Sequence, residues 1–225
     1  MMTIFQSDNT RFKSNRTISA ASGFSLVELI ISLTLSLLIL GVGVAMFSGA
    51  LGSRDRETSR TDALTSAQAA LNIMSREIGN SGFGLTDNGI VASDSDANRL
   101  HFRANIENTG SNGTSTAQAG EDIAFYYDSA SQSVVRFDRV SGTSGIINRV
   151  SDVDFAYYDY TVDPVTGALV VTPPPGLTTP SVNTSRVNIT LTVFLADARG
   201  QPSGRSEKVK SDVTLRNSTY MRAQY

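Results

Sequence analysis

The residues of this chain that could carry acid–base or metal chemistry are few and scattered. His101 is the only histidine, cysteine is absent, and no nucleophile elbow, phosphate-binding loop or HExxH pattern is found. A lone histidine in a strand-like stretch is expected to pack within the strand or lie at the surface. The sequence therefore predicts no catalytic, cofactor-binding or metal-binding residue, and no enzymatic activity.

Asp94, Asp96 and Asn98 have the spacing that opens a calcium-binding loop. Such a loop needs a glycine at its sixth position and a bidentate glutamate at its twelfth. Arg99 and Asn105 stand there instead. We therefore expect no calcium site, although the pattern alone leaves the question open.

A different kind of chemistry is indicated near the N-terminus, where one carboxylate stands at the head of an apolar stretch. Residues 1–23 carry three basic residues and one acidic residue, without apolar periodicity. The uncharged run from Leu29 to Ser53 is long enough to cross a bilayer core of about 30 Å as a helix. Glu28 precedes this run. A carboxylate there either lies at the level of the lipid headgroups, where the positive end of the helix dipole favours it, or has a partner or a functional role.

The string Gly23-Phe24-Ser25-Leu26-Val27-Glu28-Leu29 resembles the processing motif of type IV prepilins. That family has a basic leader ending in glycine, then an N-methylated residue, and a glutamate at the fifth mature position of a long hydrophobic helix. The resemblance implies that a prepilin peptidase cleaves between Gly23 and Phe24 and that the new amine of Phe24 is methylated. It also implies that Glu28 pairs with the N-terminal amine of a neighbouring subunit, which sets the register of assembly.

The same resemblance implies a location and a set of partners. The chain would be a single-pass protein of the bacterial inner membrane with a periplasmic head domain, and later part of a pilus or pseudopilus. Its partners would be other pilins or pseudopilins through the N-terminal helix, the prepilin peptidase/methyltransferase and the inner membrane. A net charge of -2 gives no support for a nucleic-acid partner.

An ordinary secretory signal cleaved after Ala50 is the competing interpretation of the apolar run. Such signals have apolar regions of roughly 7–15 residues, shorter than the run found here. Charge does not settle the orientation, because basic residues flank the run on both sides.

Beyond the apolar run the helical pattern continues. Apolar residues recur at spacings of three and four and predict one buried stripe, formed by Ala63, Leu64, Ala67, Ala70, Leu71, Met74 and Ile78. No proline lies between Phe24 and Ser81, so a single helix is predicted. We assign residues 1–23 to a cleaved leader, 24–53 to a transmembrane and assembly helix, 54–84 to its amphipathic second half and 85–225 to a β-rich head domain.

The head domain shows alternation of apolar and polar residues, typical of antiparallel strands with one covered face. The predicted strands are 99–103, 122–128, 133–140, 146–160, 168–172, 186–196 and 207–217, with loops at 108–120 and 173–180. The predicted fold class is α+β and type IV pilin-like, with the second half of a long N-terminal helix packed on an antiparallel β-sheet domain.

The segment from Ala67 to Phe83 resembles PilW-type minor pilins and GspJ-type pseudopilins. This implies a structural minor pilin that primes assembly of a type IV pilus or sits at its tip. A pseudopilin of a type II secretion system is the near alternative, and a membrane-anchored binding or enzymatic domain is a third. Five tyrosines predict either an adhesive patch or sheet packing: Tyr126, Tyr127, Tyr157, Tyr158 and Tyr160.

Overall fold

The computed structural model describes residues 23–108, 115–197 and 202–224. The predicted leader, apart from Gly23, lies outside these residues, as does the middle of the predicted loop 108–120. The chain divides into two compact units, Met1–Gly49 and Ala50–Tyr225. The segment boundaries predicted at residues 23, 53 and 84 stay predictions.

The first element is one continuous helix, α1, which runs over the 53 residues Leu26–Ile78. This confirms the single long helix predicted from the lack of proline. In the second unit its buried face consists of Ala67, Ala70, Leu71, Met74 and Ile78, the core of the predicted stripe. The helix closes with a bond of 2.9 Å from the Gly79 N–H to the Ser75 carbonyl.

The strands form two four-stranded antiparallel sheets. The first has the order β1-β2-β3-β4, with bounds Arg99–Arg103, Asp122–Asp128, Ser133–Asp138 and Gly142–Asn148. The second has the order β6-β5-β7-β8, with β5 at Val150–Val162, β6 at Leu169–Val171, β7 at Thr184–Phe194 and β8 at Ser206–Thr214. A short helix, α2, follows at Thr219–Arg222. The α+β class, with a helix packed on antiparallel sheets, is confirmed.

The predicted single strand 146–160 is wrong. It is divided at Arg149, whose φ of 60° lies in the left-handed region and interrupts the extended chain. Asn148 pairs with Ser133 in the first sheet, whereas Val150 pairs with Val193 in the second. The segment 146–160 contains neither glycine nor proline, so no turn residue marks the corner in the sequence.

One core joins the helix and both sheets. Leu71 and Met74 of α1 are buried with Phe102 and Phe125 from the first sheet and Phe155 from the second, among others. Removal of this apolar surface from water is the main stabilising contribution, about 1.5–3 kcal/mol for each large side chain.

The segment between α1 and β1 lies against the edge of the first sheet. Gly82 donates its N–H to the Arg103 carbonyl at 2.9 Å, and Arg103 donates to the Gly89 carbonyl at 2.8 Å. Gly89 has a φ of 75°, and a Cβ there would lie 2.2 Å from the Gly82 nitrogen. Glycine is therefore required at 89 both for the backbone angle and for the close approach of two chain segments.

Candidate functional site

The predicted cleavage point lies just before the first turn of α1. Residues 23–25 are not helical, and the helix begins at Leu26. Ser25 caps it, because its hydroxyl accepts from the Val27 N–H at 3.3 Å and its carbonyl from the Leu29 N–H at 3.1 Å. Sequence reasoning missed this cap, although a serine three residues before Glu28 is the pattern of a capping box.

The residues on both sides of the predicted cleavage point are accessible. The Phe24 side chain is 81% exposed, and a Cβ placed on Gly23 would meet no atom within 4 Å. Glu28 is exposed in the first turn of α1, where the positive end of the helix dipole favours a carboxylate. The residues on both sides of the predicted cleavage point thus belong to an exposed, non-helical segment directly before a capped helix.

The first unit presents an apolar helix surface that the described chain does not cover. This helix is long and apolar enough to cross a membrane, and none of its most apolar window is buried. The hydroxyls of Ser32, Thr34 and Ser36 donate to carbonyls of their own helix at 3.0, 2.9 and 2.7 Å. Their polarity is thus satisfied locally, as apolar surroundings require.

The only histidine lies in β1 of the second unit, in a cluster of charged side chains. His101 Nδ1 is 2.8 Å from Asp94 Oδ2, and His101 Nε2 is 2.6 Å from Asp122 Oδ1. Arg99 contacts Asp94 at 2.9 Å, and Arg103 contacts Asp122 at 3.2 Å. Each ring nitrogen therefore faces a carboxylate.

This cluster also accounts for the charge state of Asp94. Burial pushes the pKa of Asp94 upward, but the hydrogen bond and charge of Arg99, and then those of His101, outweigh it. The net result is a pKa below the ordinary value. The Asp94 carboxylate is thus kept ionised by the neighbouring Arg99 and His101 side chains, which is typical of an ion network that stabilises a turn.

The calcium-like side chains do not converge. Asp96 Oδ1 accepts from the backbone N–H groups of Asn98 and Arg99 at 2.7 and 2.9 Å. Asn98 Nδ2 donates to Asp152 Oδ1 at 3.0 Å. Within the described ranges, no group of three or more His, Asp or Glu side chains could hold a metal ion.

The tyrosines are used mainly in packing. Tyr157 is fully buried, and its hydroxyl donates to the Asp96 carbonyl at 2.8 Å. The Arg186 guanidinium lies 4.1 Å from the ring centroid of Tyr158. Burial raises the pKa of Tyr157, with the charges of Asp96 and Asp154 acting in the same direction. Of the two alternatives, these contacts favour sheet packing over an adhesive patch.

No family model, curated protein or solved structure matches this chain. The fold and the site together define a general class of protein, in which a long N-terminal helix, apolar in its first part, is followed by an antiparallel β-sheet domain. That is the pilin-like order of elements.

Proposed function

We propose that the chain is a structural minor pilin subunit of the PilW type, processed by a prepilin peptidase and inserted in, or priming, a type IV pilus. The observation that carries this is the motif from Gly23 to Glu28 at the start of an uncovered apolar helix. The chain acts through helix packing in a filament and not through bond chemistry. The structural features that support the proposal are the exposed, non-helical residues 23–25 and the capped turn that holds Glu28.

The near alternative is a GspJ-type pseudopilin of a type II secretion system, which shares the motif and the helix. No contact in the described residues favours one machine over the other. The two alternatives differ in the filament that contains the chain. A minor pilin is expected to copurify with sheared pili, and a pseudopilin is expected to copurify with an overproduced pseudopilus.

Processing is tested by the N-terminal residue and the mass of the full chain isolated from its native membrane. The wild-type chain is expected to begin at methylated Phe24, and Gly23→Val is expected to keep the leader. Gly49→Val is the matched control, because a Cβ at either glycine meets nothing within 4 Å. A wild-type chain that begins at Met1 or at Leu51 rejects the proposal.

The role of Glu28 is tested separately by Glu28→Gln, which keeps the shape and removes the charge. Removing one partner of a buried ion pair costs about 3–5 kcal/mol, so incorporation into filaments should fall by tenfold or more. Glu57→Gln is the control, since Glu57 is an exposed carboxylate of the same helix beyond the apolar run. Equal incorporation of the two variants would remove Glu28 from the assembly mechanism.

A further inference from the structure

One edge of the second sheet carries a cluster of exposed apolar side chains. Seven lie between residues 162 and 182, namely Val162, Val165, Leu169, Val170, Val171, Leu177 and Val182. Among the other described residues after Ser53, exposed large apolar side chains number five: Ile73, Phe83, Ile106, Phe137 and Val140. Such clustering on a surface marks a contact with another molecule. We call residues 162–182 the β6 edge.

The β6 edge also offers unpaired backbone. Thr172 donates its N–H to the Asp159 carbonyl at 3.1 Å, and Asp163 donates to the Ala168 carbonyl at 2.9 Å. Because alternate residues of an antiparallel strand bond to the same neighbour, Ala168, Val170 and Thr172 face β5. The N–H and C=O groups of Leu169 and Val171 therefore point away from the sheet, and their side chains are 45% and 37% exposed.

Each of the other three sheet edges has a feature that opposes the addition of a strand. The edge of β1 is occupied by the segment 82–91, for example through the 2.9 Å bond from the Val91 N–H to the His101 carbonyl. Exposed lysines, Lys208 and Lys210, stand on β8, and charges of this kind prevent edge pairing. On β4 the pairing with β3 shifts register between Val134 and Val135, and an irregularity of this kind at an edge strand opposes further pairing.

The lack of charge at the β6 edge limits the class of molecule that could bind there. From Tyr160 to Ser185 the sequence contains a single charged residue, Asp163, and no basic one. A polyanion such as nucleic acid needs basic partners, and so does an anionic bilayer surface. An uncharged apolar strand of another protein matches both the side chains and the open backbone.

We propose that the β6 edge binds an extended, uncharged, apolar segment of another protein by strand addition. The segment hydrogen-bonds to the outward N–H and C=O groups of Leu169 and Val171, and its side chains cover the apolar cluster. This inference does not depend on prepilin processing, because it concerns the second unit alone.

The test uses the full chain in nonionic detergent and a fluorescent, capped seven-residue peptide of alternating valine and threonine. The peptide is expected to bind and to slow the amide exchange of Leu169 and Val171 but not that of Val170. Val171→Pro removes an outward donor without removing a bond to β5 and should weaken binding at least tenfold. Val171→Thr keeps the donor and the side-chain shape and should bind nearly as well as the wild type.

Other results would overturn the proposal. They are no binding at millimolar peptide, equal binding by Val171→Pro, or protection of amides outside the β6 edge. If phosphatidylglycerol vesicles bind the wild-type chain but not Val171→Pro, the surface contacts a bilayer. If the wild-type chain self-associates and Val171→Pro does not, the surface binds a second copy of the chain. If Val171→Pro does not fold, the fully N-methylated peptide on the wild-type chain decides, because it cannot donate and should bind at least tenfold more weakly.

Discussion

At the residue level, the Asp138 carboxylate connects two turns of the first sheet. It accepts from the backbone N–H groups of Gly120, Val140 and Ser141 at 2.7, 2.9 and 3.1 Å. Burial pushes its pKa upward, but the hydrogen bonds from Val140, Ser141 and Gly120 outweigh this, so the pKa lies below its ordinary value. The ionised side chain therefore stabilises the fold.

We expect Asp138→Asn to lower the free energy of unfolding at pH 7 by about 1–3 kcal/mol, the cost of unsatisfied buried donors. A carboxyl with a lowered folded pKa stabilises above its unfolded pKa of about 3.9, and that contribution is lost as pH falls through the folded pKa. Urea unfolding of both chains at pH 7 and pH 3 should thus show a difference that shrinks at the lower pH. A difference independent of pH would assign the effect to shape and not to charge.

A second prediction at this scale concerns two glycines with similar backbone angles and different surroundings. Gly89 and Gly142 have φ values of 75° and 85°, but only a Cβ at 89 would meet backbone atoms, at 2.2 Å. Gly142→Ala should therefore cost only the left-handed strain, about 1–2 kcal/mol. Gly89→Ala should cost clearly more, as measured by thermal unfolding, and equal losses would mean that the segment 82–91 can move away from β1.

The residue-level features differ in how far the sequence predicts them. The motif from Gly23 to Glu28 is local, so it can be read directly from the string. The contacts of His101 with Asp94 and Asp122 cannot, because they depend on which strand pairs with β1. The same holds for Asp138, whose donors at Gly120 and Ser141 come from two different turns.

At the level of elements, the buried face of α1 contributes Ala67, Ala70, Leu71, Met74 and Ile78 to the core of the second unit. Leu71 is fully buried, whereas Ile73, two residues further along the helix, is 38% exposed. Leu71→Ala should lower the free energy of unfolding by about 2–5 kcal/mol, because it removes core contacts and leaves a cavity. Ile73→Ala is the matched control and should cost much less in urea unfolding, and similar losses would contradict the assigned helix face.

The sequence predicted whether a segment is a helix or a strand better than it predicted where the segment begins and ends. The stripe of α1 and the strands β1, β2 and β7 follow from periodicity, since one face of each packs in the core. The division at Arg149 was missed because a left-handed residue leaves no apolar signature. The pairing of β6 with β5 could not be predicted from the sequence either, because the register of a three-residue strand is set by its neighbours.

At the level of the whole molecule, the division of the chain predicts how it tolerates truncation. Residues 50–225 form a compact unit of their own. A chain that begins at Ala50 is expected to fold without detergent and to melt within about 3 °C of the full chain, a difference below about 1 kcal/mol for a domain of this size. Aggregation or a non-cooperative transition of the truncated chain would show that the first unit contributes to the stability of the second.

The corner at Arg149 has a consequence for how such chains diverge. The residues on its two sides are tied to different partners, Ser133 and Val193, so one added or lost residue would shift a whole strand out of register. Turns that join neighbours within one sheet, such as residues 163–168, carry no such constraint. Over evolutionary time, insertions and deletions should therefore accumulate in those turns, while the chain length at the corner stays fixed.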